Sequence, residues 1–169
     1  MRERKEQKTT WKGIGHKDLR DLDQSQKLQD EEIIQTQDSA EIALEILEYH
    51  LGFVDITIQE VRIDTPIGEV IIERKNLSHI VEKRQDARER YVKYALATMA
   101  DPFEVWLVAY EDEVGNEECR FAYIGAFQGK RQMLVVFADV NGKILWNFMH
   151  GDNKSLNKHR HGECVYSRL

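Results

Sequence analysis

The chain has 169 residues, enough for one domain with a sizeable core. No run approaches the roughly 18 apolar residues of a membrane span, and no apolar h-region follows Met1. Cys119 and Cys164 are too few for a disulfide framework. A cytosolic, membrane-free protein is therefore expected. The net charge of −6 argues against a nucleic-acid partner for the chain as a whole. It is unevenly spread, however. Residues 1–50 carry 8 Lys+Arg and 12 Asp+Glu (−4), residues 51–118 carry 8 and 15 (−7), and residues 119–169 carry 8 and 3 (+5) with half of the six histidines. A basic surface on the C-terminal third stays open.

Residues 1–38 are rich in Lys, Glu, Gln and Asp, with Leu19, Leu22, Leu28, Ile33 and Ile34 as sparse apolar points without a period. They read as a flexible or partly helical charged arm, and residues 39–169 as a single domain. Ser39 is placed to cap a helix whose face carries Ile42, Ala43, Ile46 and Leu47, with Gly52 at the C′ position. Alternation over 54–59 predicts a strand, and 61–63 and 70–72 a hairpin around Pro66 and Gly68. Asn76 and Asp86 each fit the start of a helix, and Pro102 ends the second. From 103 onward the pattern is an antiparallel meander. Strands are expected at 103–110, 120–127, 132–140 and 143–149, with a short one at Val165 and Tyr166. Asn141-Gly142 is the strongest hairpin signal. The expected fold is α+β, with N-terminal helices packed on a four- to five-stranded antiparallel meander sheet.

Chemistry-bearing motifs are sparse. There is no Walker A, GxGxxG or HExxH sequence. His150, His159, His161 and Cys164 are ligand-like residue types, but their spacing matches no standard zinc pattern, so no metal is expected. The loop 154–166 clusters Lys154, Lys158, His159, Arg160 and His161 with Asn157 and Tyr166. Cations this dense hold phosphate oxygens well, although a solvated surface loop has the same composition. His79 and Arg88 are residue types for proton transfer and anion binding, and each alone is equally a surface residue.

The order of landmarks resembles the phage-type branch of the barnase–EndoU–colicin–RelE-like nucleases, found in phage head-morphogenesis and toxin proteins. It is carried by TPIGEVII (65–72), LSHIVEKR (77–84), Arg88 with Tyr91, the T-x-x-x-P-x-E-V-W run (98–106), YIGAF (123–127), the following LVVF, and NKHRHGECVY (157–166), and covers about 52–169. The resemblance implies a metal-independent endoribonuclease without cofactor. In it the RNA 2′-hydroxyl attacks the phosphoryl group and leaves a 2′,3′-cyclic phosphate. His79 would be the general acid or base. Arg88 and Arg160 would stabilise the developing charge, with Lys158 assisting, and Tyr166 or Thr98 would complete a relay or hold a phosphate oxygen. Lys154, Asn157, Lys158 and Thr98 are the implied substrate contacts. Trp106, Tyr123 and Phe148 are candidate base-stacking surfaces, and Glu104 a candidate base. RNA, tRNA included, is the implied substrate, with an inhibitor, immunity or phage structural protein as partner, and a bacterial cytoplasm as the place of action.

This reading requires His79, Arg88 and the 154–166 loop to converge on one cleft. The alternative is a non-catalytic, phage-associated interaction module that keeps the fold. A hydrolase with a metal on His150, His159, His161 and Cys164 is a third option.

Overall fold

A computed structural model describes residues 1–4 and 9–169; residues 5–8 of the N-terminal segment lie outside the described residues. The strands in chain order are β1 (Arg2–Glu3), β2 (Glu60–Thr65), β3 (Gly68–Glu73), β4 (Glu104–Glu111), β5 (Glu117–Gly125), β6 (Gln132–Asp139), β7 (Lys143–Gly151) and β8 (Glu163–Ser167). The helices are α1 (Ala40–Leu51), α2 (Leu77–Val81), α3 (Val92–Ala100) and α4 (Asn153–Asn157).

The meander β4–β5–β6–β7 forms as its alternation predicts, and Asn141 (φ 55°) and Gly142 (φ 124°) make the tight β6–β7 turn. The sheet is nevertheless larger than expected, and mixed. The β2–β3 hairpin joins it through a parallel contact of β3 with β7, limited to Val70↔Lys143 and Ile71↔Ile144. At the other side β1 and β8 both pair with β4, which makes eight strands. The helices are not all N-terminal either, since α2 and α3 lie between β3 and β4 and α4 follows β7. The parallel contact and the short outer strands are pairings between distant segments, which leave no local pattern to read.

Both faces of the sheet are covered. On the first face Ala43, Leu47 and Leu51 of α1, Leu77 and Ile80 of α2, and Tyr94, Ala95 and Met99 of α3 pack on Val105, Tyr123, Val135 and Phe148. On the second, Leu19 and Leu22 of the N-terminal segment and Leu156 of α4 pack on Phe103, Trp106, Ile124 and Leu134. Leu19 is wholly buried. The sparse leucines of the N-terminal segment are thus anchors for the second face, and two 3-10 turns, Leu19–Asp21 and Gln24–Gln26, are its only helical parts among the described residues.

Ser39 accepts a hydrogen bond from the Ile42 N–H at 3.3 Å and Gly52 adopts φ 99°, so α1 begins and ends where its cap residues place it. Three local expectations fail. Residues 54–59 form no strand, because Asp55 accepts from the Thr57 N–H at 2.7 Å in a tight turn and Val54 and Ile56 are left exposed. Asn76 makes no capping bond and donates instead to Glu73 at 3.4 Å. Asp86 caps nothing: a 3-10 turn, Arg88–Tyr91, precedes α3.

Candidate active site at the open edge of β7

Beyond Ile144, β7 has no strand beside it on the side away from β6 among the described residues. The segment from α2 to the 3-10 turn runs along this rim. His79, on the polar side of α2, brings its ring to 5.0 Å from that of Trp146, tilted by 51°. Its Nδ1 lies 3.3 Å from a Glu82 carboxylate oxygen, and the side chain is 44% exposed. Arg88 donates from Nη1 to Asn147 Oδ1 at 3.0 Å, and its Nη2 lies 3.4 Å from Asp86. The two candidates therefore meet consecutive residues of one strand. Trp146 and Asn147 fall at a register shift between β6 and β7, where an extra residue re-aims side chains.

The segment that carries Arg88 is rigidly held. Arg84 donates to both oxygens of buried Glu89, at 2.9 and 2.8 Å, and to the Val81 and Gln37 carbonyls. Burial pushes the Glu89 carboxyl up, but hydrogen bonds from Arg84, Thr36 and the backbone, together with the Arg84 charge, make the net shift downward. Ala87, just before Arg88, has φ 43°, a left-handed conformation that costs an ordinary residue on the order of 1 kcal/mol.

Further along β7, His150 stacks on Tyr91 with ring centres 3.9 Å apart. Its Nε2 lies 3.4 Å from the Asp86 carbonyl, and its Nδ1 is buried without a partner. Burial lowers its pKa, so the ring is neutral at pH 7. His150 is four residues from Trp146, about 13 Å along an extended strand. Tyr91 and Arg88 are the pieces of this rim that the sequence pattern carries. Trp146, Asn147 and the placement of His150 escape it. The alternation of β7, with Phe148 and His150 on one face, was the available signal for His150.

The other expected site residues lie elsewhere. Arg160 is not a free cation. It is 0% exposed and forms two bonds with Glu104, Nε to Oε1 at 2.6 Å and Nη2 to Oε2 at 2.9 Å. Its Nη1 donates to the Lys17 carbonyl and Asn157 Oδ1, both at 2.9 Å. Glu104 is equally buried, and also accepts from Trp106 Nε1 at 2.9 Å and contacts His16 Nδ1. Burial raises the Glu104 carboxyl, but the Arg160 bonds and charge more than offset this, so it stays ionised and is no open-cleft base. The pair sits at β4, three strand spacings or about 14 Å across the sheet from β7, packed against Trp11 and Phe103 on the second face. The convergence of His79 and Arg88 with Arg160 does not occur.

Asn157 also belongs to this cluster, accepting from the Leu19 N–H and donating to Asp18. Thr98 is buried and donates to the Tyr94 carbonyl at 2.8 Å. Tyr166 is half-buried on β8 against the first-face core. Lys154 and Lys158 are exposed on and just after α4, along a shallow groove of about 370 Å³ with Trp11 and Lys12. Trp106, Tyr123 and Phe148 are fully buried and present no stacking surface. The Tyr123 hydroxyl pairs with Thr65 at 2.8 Å, and burial pushes its pKa up to about 12. His161 binds Glu3 at 2.8 Å, and His150, His159, His161 and Cys164 do not assemble as ligands. Among the described residues no group of three or more His, Cys, Asp or Glu is placed to hold an ion. No helix among them is long and apolar enough to cross a membrane.

The α+β chain carries an antiparallel meander backed by helices, with a histidine and an arginine at one rim of its sheet. It belongs to the phage-Barnase-EndoU-ColicinE5/D-RelE like nuclease 2 family, whose family model matches residues 50–167. No curated protein and no solved structure matches the chain.

Proposed function

We propose that the protein is an endoribonuclease that cleaves RNA by 2′-hydroxyl transphosphorylation at the open edge of β7, without a metal ion. The observation that carries this reading is the meeting of His79 and Arg88 at the adjacent residues Trp146 and Asn147. Imidazole can both take up and release a proton, which suits it to proton transfer. His79 takes the proton of the 2′-hydroxyl as its oxygen bonds to phosphorus. The bond from phosphorus to the 5′-oxygen breaks, and that oxygen takes a proton from water. The products are a 2′,3′-cyclic phosphate and a 5′-hydroxyl end. Arg88 exchanges Asp86 for a non-bridging phosphoryl oxygen and stabilises the charge that develops there. Arg160, Asn157 and Thr98 take no part in the chemistry on this reading; they hold the fold. We place the activity in a bacterial cytoplasm, with the protein acting as a phage or toxin effector on cellular RNA, tRNA included.

The test is cleavage of a short oligoribonucleotide in excess EDTA, beside the same oligomer with a single 2′-deoxynucleotide at the mapped cleavage position. Cleavage that survives the chelator, ends in cyclic phosphate and fails at the deoxy position is expected. Equal cutting of both oligomers, or 3′-hydroxyl and 5′-phosphate ends, would refute the mechanism.

A further inference from the structure

We propose that Trp146 is the base-stacking platform of this site, and that the site therefore takes single-stranded rather than duplex nucleic acid. The inference rests on the ribonuclease reading for the identity of the ligand, but concerns a residue that reading leaves without a role. Single exposed apolar residues are ordinary on protein surfaces, and Val54 and Ile56 need no explanation. Trp146 differs from them in three ways. It is 41% exposed on a strand of the central sheet, whereas Trp106 is wholly buried. It projects at the register shift of β7, on the rim where no strand among the described residues pairs beyond Ile144. It is also held in place: the Arg120 guanidinium lies 4.7 Å from its ring centre and 4.3 Å from that of Tyr110, while Arg120 Nε donates to Glu118 at 2.7 Å.

An indole braced by a fixed guanidinium is a rigid planar surface that loses little freedom on binding. The His79 ring contacts it at a tilt of 51° rather than lying flat on it, so the imidazole does not cover the indole as a stacked ring would. A nucleobase on Trp146 would bring its own sugar next to His79 and its phosphate towards Arg88, which is bonded to the following residue, Asn147. A base in a duplex is already stacked on both sides and cannot lie on an indole without leaving its neighbours, so the platform selects unpaired nucleotides.

The test uses the full chain carrying His79→Ala, so that binding is read without turnover. Binding of a short single-stranded RNA and of its duplex is followed by intrinsic tryptophan fluorescence and by anisotropy of a labelled strand. Single-stranded RNA is expected to quench the fluorescence and to bind at least tenfold more tightly than the duplex. Adding Trp146→Ala is expected to weaken single-strand binding roughly tenfold and to abolish the quench, with Trp146→Phe intermediate in affinity. Affinity and quenching unchanged by Trp146→Ala, equal affinity for the duplex, or no binding of either RNA would overturn the proposal. Loss of binding in Trp146→Ala alongside undiminished cleavage by His79→Ala would leave this platform standing while removing the catalytic reading.

Discussion

Arg160 and Glu104 are the charge pair on which the second face of the sheet depends. Each is completely buried, and every hydrogen bond seen on the Arg160 guanidinium ends on a protein oxygen. Removing one partner strands the other charge in the core, which typically costs about 3–5 kcal/mol. Arg160→Ala is thus predicted to lower the thermal midpoint sharply, and any activity it loses to be lost through unfolding. Arg160→Met paired with Glu104→Gln, which leaves no unpaired charge, should recover part of that loss in the same melting experiment. The pH dependence follows from the direction of the shifts. Glu104 and Glu89 both have folded pKa values below their ordinary ones, so their contribution is complete above the unfolded carboxyl range and is lost as pH falls through the folded values. A chemical-denaturation series should show this component constant above about pH 5 and declining below about pH 4. The burial of Arg160 was not legible in the sequence. It lies in a polar run with no apolar period, and its partner is 56 residues away. His79, Arg88 and Tyr91 lie within one short stretch of sequence, so their common placement along β7 follows from local structure.

At the scale of elements, the strands that form as read are those whose partners are close in sequence. β4 to β7 are joined by short turns, and their alternation is uninterrupted apart from one register shift. Residues 54–59 also alternate, yet a local Asp55–Thr57 turn competes with pairing and wins. β8 was legible as a short strand, but its seat was not. Gly162, which precedes it, has φ 103° and approaches β4 so closely that an added Cβ would overlap the Leu107 carbonyl oxygen. Gly162→Ala is predicted to destabilise the protein by about 1–3 kcal/mol through this backbone strain and clash, measurable as a lowered denaturant midpoint at unchanged slope. Hydrogen exchange should show the loss concentrated in β8 and β4 before it reaches β6.

At the scale of the molecule, the sheet is a divider with different uses on its two sides. The second face is packed by the N-terminal segment and α4 around an internal ion pair, which buries Arg160 of the basic 154–166 run. The first face is filled by α1, α2 and α3. Between them lies the rim of β7, where the parallel contact with β3 stops after two residue pairs and a turn held by the Arg84–Glu89 pair carries Arg88. The family assignment gives the nuclease class, and the rim of β7 is the place proposed for its action. The most direct measurement is the RNA cleavage rate of His79→Ala and Arg88→Ala beside the wild-type chain, each with its thermal midpoint. The account predicts a fall of about 100-fold or more in rate for both variants. For His79→Ala, an exposed position, the midpoint should stay within about 2 °C of wild type. Folded variants that cleave at the wild-type rate would contradict it and move the site away from the β7 edge.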